Sequence, residues 1–222
     1  MVGKIYLGGG GDEKDAFAAE DNFFKDVNSV LYIPLAWANE DFESCLNWFT
    51  DLVKAHHEIE IRMLTDVTQE IDLSKFDGVY IGGGNTFKLL KKLKESKLGK
   101  KLINFYESGG KIFGGSAGAI IWGKTINIST ICKDADRNIV KLKDLTGFAK
   151  VGKYDIQCHF ESNQINEHKK YIRDFGNEVI AIPEESALIV EGNKCKVIGE
   201  KSISIITSEE VTQFSPGSSF EL

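Results

Sequence analysis

Cysteine is scarce in this chain and never closely paired. Cys45, Cys132, Cys158 and Cys195 stand far apart with no C-x-x-C spacing, which argues against a zinc site or a disulfide frame and fits reduced thiols. Proline occurs only three times and no low-complexity tract interrupts the 222 residues, so no linker or internal repeat marks a second domain. No apolar run approaches the roughly eighteen residues a membrane span needs. Met1–Leu7 runs straight into glycines, too short for a secretory core, so a cytoplasmic protein without a membrane partner is expected. A basic stripe is also missing: the net charge is −6 with both signs interspersed, and nucleic acid is not an expected partner. With 42% hydrophobic and 27% charged residues, what remains is an ordinary globular composition long enough for one core over residues 1–222.

Short β-rich runs alternate with helical periods. Lys4–Leu7, Val30–Ile33, Ile59–Met63, Gly78–Ile81 and Lys111–Phe113 read as strands, several apolar on both sides, as in a parallel sheet covered by helices. Phe42, Cys45, Leu46, Phe49, Leu52 and Val53 mark one helical stripe. Phe87, Leu90 and Leu93 mark another, and Leu98, Leu102 and Phe105 a third. Past residue 150, Asp155–Cys158, Val179–Ile182, Ala187–Val190, Lys196–Ile198 and Ile203–Ile206 are closely spaced strands, with one helix near Asn166–Phe175. The pattern predicts a single α/β domain: a doubly wound, mostly parallel sheet with helices on both faces and an antiparallel C-terminal edge.

Gly114-Gly115-Ser116-Ala117-Gly118 fits G-x-S-x-G between a strand and a small apolar stretch that can open a helix. In such an elbow a serine occupies a strained strand-to-helix turn, exposed at the sheet edge, and the following N–H of Ala117 can bond an oxyanion. A phosphate loop is the competing reading. No Lys-Ser/Thr ends this loop, and Ser116 occupies the second glycine of G-x-G-x-x-G, so neither nucleotide motif is met. A second loop, Gly82-Gly83-Gly84-Asn85-Thr86, follows the Gly78–Ile81 strand and offers its backbone N–H groups to an oxyanion, with Asn85 at the substrate or, like Thr86, capping the next helix. Gly8–Gly11 forms a third loop, to which the sequence assigns no role.

A serine nucleophile needs a base, and four histidines are available. His56 and His57 end a helix among charges and read as surface residues. His168 lies in a polar segment. His159 closes the Asp155–Cys158 strand and is placed to reach Ser116.

Three blocks, IGGGNTFKLL (residues 81–90), GGSAGAIIWG (114–123) and IQCHFE (156–161), resemble peptidase E, the aspartyl-dipeptidase and cyanophycinase-like family of serine peptidases, across roughly residues 75–192. The resemblance implies a fold like the class I glutamine amidotransferases and a hydrolytic domain without metal or organic cofactor. It implies that Ser116 is the nucleophile and His159 the base, with Gly83, Gly84 and Ala117 at the oxyanion. The acid partner stays open. Asp134 and Asp136 match a family aspartate, Glu184 and Glu185 sit at an adjacent strand end, and Glu161 ranks behind these four. A family arginine that binds a substrate aspartate falls on His168, while Arg173 matches a second one, so a preference for Asp-X dipeptides is not carried over. The expected activity is hydrolysis of short peptides, with a homodimer left open. The alternative is a non-catalytic domain whose glycine loops hold a small ligand. A cysteine amidotransferase is set aside because the elbow carries serine and Cys158 adjoins the proposed base.

Overall fold

Period-two burial decides the layering. In the computed structural model, which describes residues 2–37, 39–131 and 135–222, the first half alternates strand and helix: β1 (Lys4–Gly8), α1 (Glu13–Phe24), β2 (Ser29–Ile33), α2 (Phe42–Lys54), β3 (Glu60–Met63), β4 (Gly78–Ile81), α3 (Thr86–Glu95), α4 (Leu98–Glu107), β5 (Lys111–Gly115) and the one-turn α5 (Ala117–Ile120). These five strands pair parallel in the order β1-β5-β4-β2-β3. Because successive side chains leave a strand on opposite faces, Ile5, Leu7, Ile33, Ile81 and Ile112 join α3, α4 and Trp122 in one core. Tyr6, Tyr32, Tyr80 and Phe113 join α1 and α2 in another. The second core is aromatic: the Tyr80 and Phe113 rings stack with centroids 4.7 Å apart, and those of Tyr32 and Phe49 4.1 Å apart.

The second half carries β6 (Tyr154–Gln157), α6 (Ile165–Phe175), β7 (Glu178–Ala181), β8 (Ser186–Glu191), β9 (Lys194–Gly199), β10 (Ile203–Ile206), β11 (Val211–Phe214) and β12 (Ser219–Glu221). Strand β8 pairs antiparallel with β1, and β9 and β12 extend that edge into an eight-stranded sheet. The expected mixed sheet is present, but not all the C-terminal strands belong to it. Strands β11-β10-β7-β6 form a separate four-stranded sheet. Its Ile156, Val179, Ile180 and Ile203 close over the same core as α3 and α4, so these strands bury their apolar faces without edge-pairing to β12.

Helix α1 is absent from the helical stripes read above. Asp12 caps it, accepting from the N–H of Lys14 and Asp15, while the Asp15 carboxylate accepts from the Asp12 N–H, a reciprocal cap. Because the five central strands are parallel, Gly8, Gly115 and Ile81 end at one edge, with Gly8 beside Gly115 and Ile81 beside Gly114. All three glycine loops therefore converge there, the usual position of a site in an α/β sheet.

Among the described residues, no helix is long and apolar enough to cross a membrane.

Candidate active site

Ser116 follows β5 at φ 50°, ψ −112°, a left-handed conformation that a β-carbon disfavours. Tight packing explains its small neighbours. A Cβ on Gly114 would lie 2.2 Å from the carbonyl oxygen of Gly118, so β5 and the first turn of α5 meet only because that position has no side chain. The turn points Ser116 Oγ to His159 Nε2 at 2.9 Å. On its other side, His159 Nδ1 stands 2.7 Å from Glu184 Oε1. The carboxylate fixes the tautomer: Nδ1 carries the proton and donates to Glu184, which leaves Nε2 to accept from the serine hydroxyl.

Backbone bonds from β1 hold this arrangement. The Ser116 N–H donates to Gly8 O at 3.2 Å, and the His159 N–H donates to Gly9 O at 2.8 Å. Gly10, at φ +98°, lies against the imidazole so closely that a Cβ there would be 2.2 Å from His159 Cε1. The Gly8–Gly11 loop, to which the sequence assigned no role, therefore seats the histidine. Its position after the strand that neighbours β5 was the available signal.

Of the four described carboxylates considered as partner to His159, Glu184 is the one bonded to it. Glu185, one residue on, turns away to an ion pair with Lys201, which holds its carboxyl below the usual range. Asp136 accepts from the Thr86 N–H at 2.8 Å and from Asn85 Nδ2 at 3.3 Å; it caps α3 and does not meet the imidazole. Glu161 accepts from Asn163 Nδ2 beside its own turn. Asp134 lies outside the described residues. Asn85 is the N-cap of α3, its Oδ1 accepting from the Lys88 N–H at 2.9 Å, so its carboxamide serves the helix and leaves little for a substrate.

Two histidine expectations change. His56 is not a surface residue: its side chain is 2% exposed, stacked on Phe17 and tilted against Phe24. His57 Nε2 lies 2.9 Å from Val27 O. His168 is buried on α6, its Nδ1 2.7 Å from Gln164 O and its ring edge-on to Phe160. Burial lowers its pKa. Neither His168 nor Arg173 reaches the cavity at Ser116.

That cavity measures about 630 Å³. Gly83 borders it with its Cα side against Ser116: a Cβ there would sit 3.3 Å from Ser116 Cβ. Gly84 and Asn85 line the same wall. Ala117 opens α5, so its N–H has no carbonyl within the helix to bond. From the elbow the space continues between α1 and the aromatic face of the sheet, lined by Tyr80, Phe113 and Tyr32 and by the exposed Trp37 and Trp48. Its described lining includes the carboxylates of Asp12, Glu13, Glu20, Asp136 and Glu184 and neither lysine nor arginine. Glu20 is 2% exposed and accepts a 2.7 Å hydrogen bond from Tyr80 Oη. Burial is the main reason its carboxyl titrates near about 7. The sequence reading missed Glu20, although it falls on the Ala16, Ala19, Phe23 stripe of α1, where an acid is out of pattern. Among the described residues, no cluster of three His, Cys, Asp or Glu is arranged to hold a metal ion.

A serine hydroxyl, an imidazole and a carboxylate in series at the edge of a parallel sheet can run acyl transfer. Comparison with known proteins points to the same chemistry. The family description "Peptidase family S51" matches residues 5–198. The chain is 26% identical over 224 residues to peptidase E of Nostoc sp., covering 93% of this chain and 88% of that protein. It is 28% identical over 205 residues to peptidase E of Haemophilus influenzae strain Rd, covering 83% of this chain and 88% of that protein. Its fold is shared with the crystal structure of a peptidase from an acI-B1 actinobacterium, at a TM-score of 0.73 and 20% identity, covering 100% of this chain and 98% of that one.

Proposed function

The chain belongs to peptidase family S51 and is a serine-type peptidase; from that premise we propose that it hydrolyses short peptides through an acyl-enzyme on Ser116. The supporting observation is the unbroken series Ser116 Oγ, His159 and Glu184, with contacts of 2.9 and 2.7 Å.

Ser116 Oγ attacks the scissile carbonyl as His159 Nε2 takes its proton. Glu184 accepts the Nδ1–H and stabilises the imidazolium that forms. The tetrahedral oxyanion is bonded by the N–H groups of Ala117 and the Gly83-Gly84 loop, which supply fixed dipoles where charge develops. His159 then returns the proton to the departing amine, and the freed amine leaves the acyl group as an ester on Ser116. Water enters, gives its proton to His159 and hydrolyses the ester, which restores the hydroxyl. Short peptides suit the site because the nucleophile stands inside a cavity between α1 and the sheet, where an extended loop of a folded protein meets the walls first.

A fluorophosphonate probe tests the assignment. Wild type should gain one covalent adduct by mass spectrometry, and Ser116→Ala should gain none. If wild type remains unmodified while a known serine hydrolase is labelled under the same conditions, the nucleophile assignment is wrong.

A further inference from the structure

The cavity does not end at Ser116. Tyr80 Oη lies 3.9 Å from the point a Cβ on Gly115 would occupy, so the Glu20–Tyr80 pair begins one residue behind the nucleophile. Sheet order fixes which side of the scissile bond this is. Strand β5, which carries Ser116, lies between β1 and β4. The β1 loop seats His159, which must protonate the leaving amine, so that amine departs on the β1 side. Tyr80 is on β4, the opposite side, where the acyl residue's side chain belongs.

The chemistry of that arm is specific. Tyr32, Phe113, Trp48 and Leu52 give it apolar walls, and among the described residues the carboxylate deep between them is that of Glu20. Long basic side chains are built to match: a methylene stem that packs on aromatic faces and a cationic head that needs an acceptor. An aspartate would meet the reverse, a carboxylate brought towards Glu20 with no lysine or arginine in the described lining to receive it. We propose that Glu20, held by Tyr80, is a specificity-determining residue that selects peptides with a lysine- or arginine-class residue on the acyl side of the scissile bond. The inference rests on the hydrolase reading above.

Four dipeptides that differ only in that first side chain test it: Lys-Leu, Arg-Leu, norleucine-Leu and Asp-Leu, assayed at pH 8 so that Glu20 is ionised. Norleucine keeps the lysine stem without its charge. One of the two basic dipeptides should exceed norleucine-Leu in kcat/KM by about tenfold or more, the ratio a single charge-assisted hydrogen bond supports, and Asp-Leu should be slowest. Glu20→Gln should bring the basic-to-norleucine ratio towards one. The proposal is overturned if norleucine-Leu matches or exceeds both basic dipeptides, if Asp-Leu is fastest, or if a folded Glu20→Gln keeps the wild-type ratio. The wild-type panel decides even if the variant does not fold. Probe labelling of the same preparations separates the two levels: labelled enzyme with no basic preference removes this inference alone, whereas no labelling and no hydrolysis of any dipeptide removes the hydrolase reading with it.

Discussion

Replacing Glu20 by Gln should change how stability depends on pH. Glu20 is almost fully buried, and burial raises its carboxyl from 4.5 to about 7 in the folded protein, only partly opposed by the Tyr80 hydrogen bond. A raised acid favours the folded state while protonated and penalises it once ionised, so wild type loses stability as pH rises from below 4.5 through 7. Each unit of difference is worth about 1.4 kcal/mol. By linkage the loss is under about 1 kcal/mol at pH 5 and about 3 kcal/mol at pH 8. Gln carries no titrating proton, and its carbonyl can still accept from Tyr80. The stability of Glu20→Gln relative to wild type should therefore rise by about 2 to 3 kcal/mol between pH 5 and pH 8. Urea unfolding followed by tryptophan fluorescence at several pH values gives both curves, and a common m-value would show that the denatured states match. A difference that stays flat within about 0.5 kcal/mol across this range would refute a neutral, buried Glu20. Tyr80→Phe removes the bond that lowers the carboxyl, so its stability should start to fall at the same pH as wild type, near the unfolded value, and go on falling to a higher pH.

Three further outcomes follow from the site. Gly10→Ala places a methyl 2.2 Å from His159 Cε1; the ring must move, and kcat/KM should fall about a hundredfold or more in steady-state assays. Glu184→Gln removes the charge against His159 Nδ1 and should lower kcat on the order of a thousandfold, whereas Glu185→Gln, which breaks only an exposed pair with Lys201, should stay within a few-fold; equal effects would refute the choice of acid. Asp136→Ala takes the acceptor from the Thr86 N–H at the start of α3 while Asn85 still caps it, and should cost about 1 kcal/mol in chemical denaturation.

The elbow was legible because a tight strand-to-helix turn needs small residues around its serine, and the strand end at His159 marked the imidazole that lies 2.9 Å from Ser116 Oγ. The acid was not. Glu184 and Glu185 are adjacent in sequence, and which one faces the imidazole depends on the turn between β7 and β8 and on Lys201 drawing Glu185 away. Neither cause leaves a mark in composition or periodicity. Asp136 looked suitable by its distance from Ser116 in sequence, but the unsatisfied N–H groups at the start of α3 claim it. Helix α1 escaped because Glu13, Asp15, Glu20 and Asp21 dilute its apolar stripe. The same dilution hid Glu20, since an acid on a helix is solvated far more often than buried. The four strands that leave the main sheet read like their neighbours, because local pattern records burial and says nothing of which sheet does the burying.

Ser116 and His159 reach the sheet edge from different sheets, yet the carbonyls of Gly8, which ends β1, and of Gly9, which follows it, anchor the amides of both. If the two sheets shift against each other, the pair travels with these two consecutive peptide units and its separation is preserved. Transplanting the chemistry to another scaffold would thus require the end of β1 as well as the three reacting side chains: a recipient given only serine, histidine and glutamate would have the reagents without the ruler that spaces them.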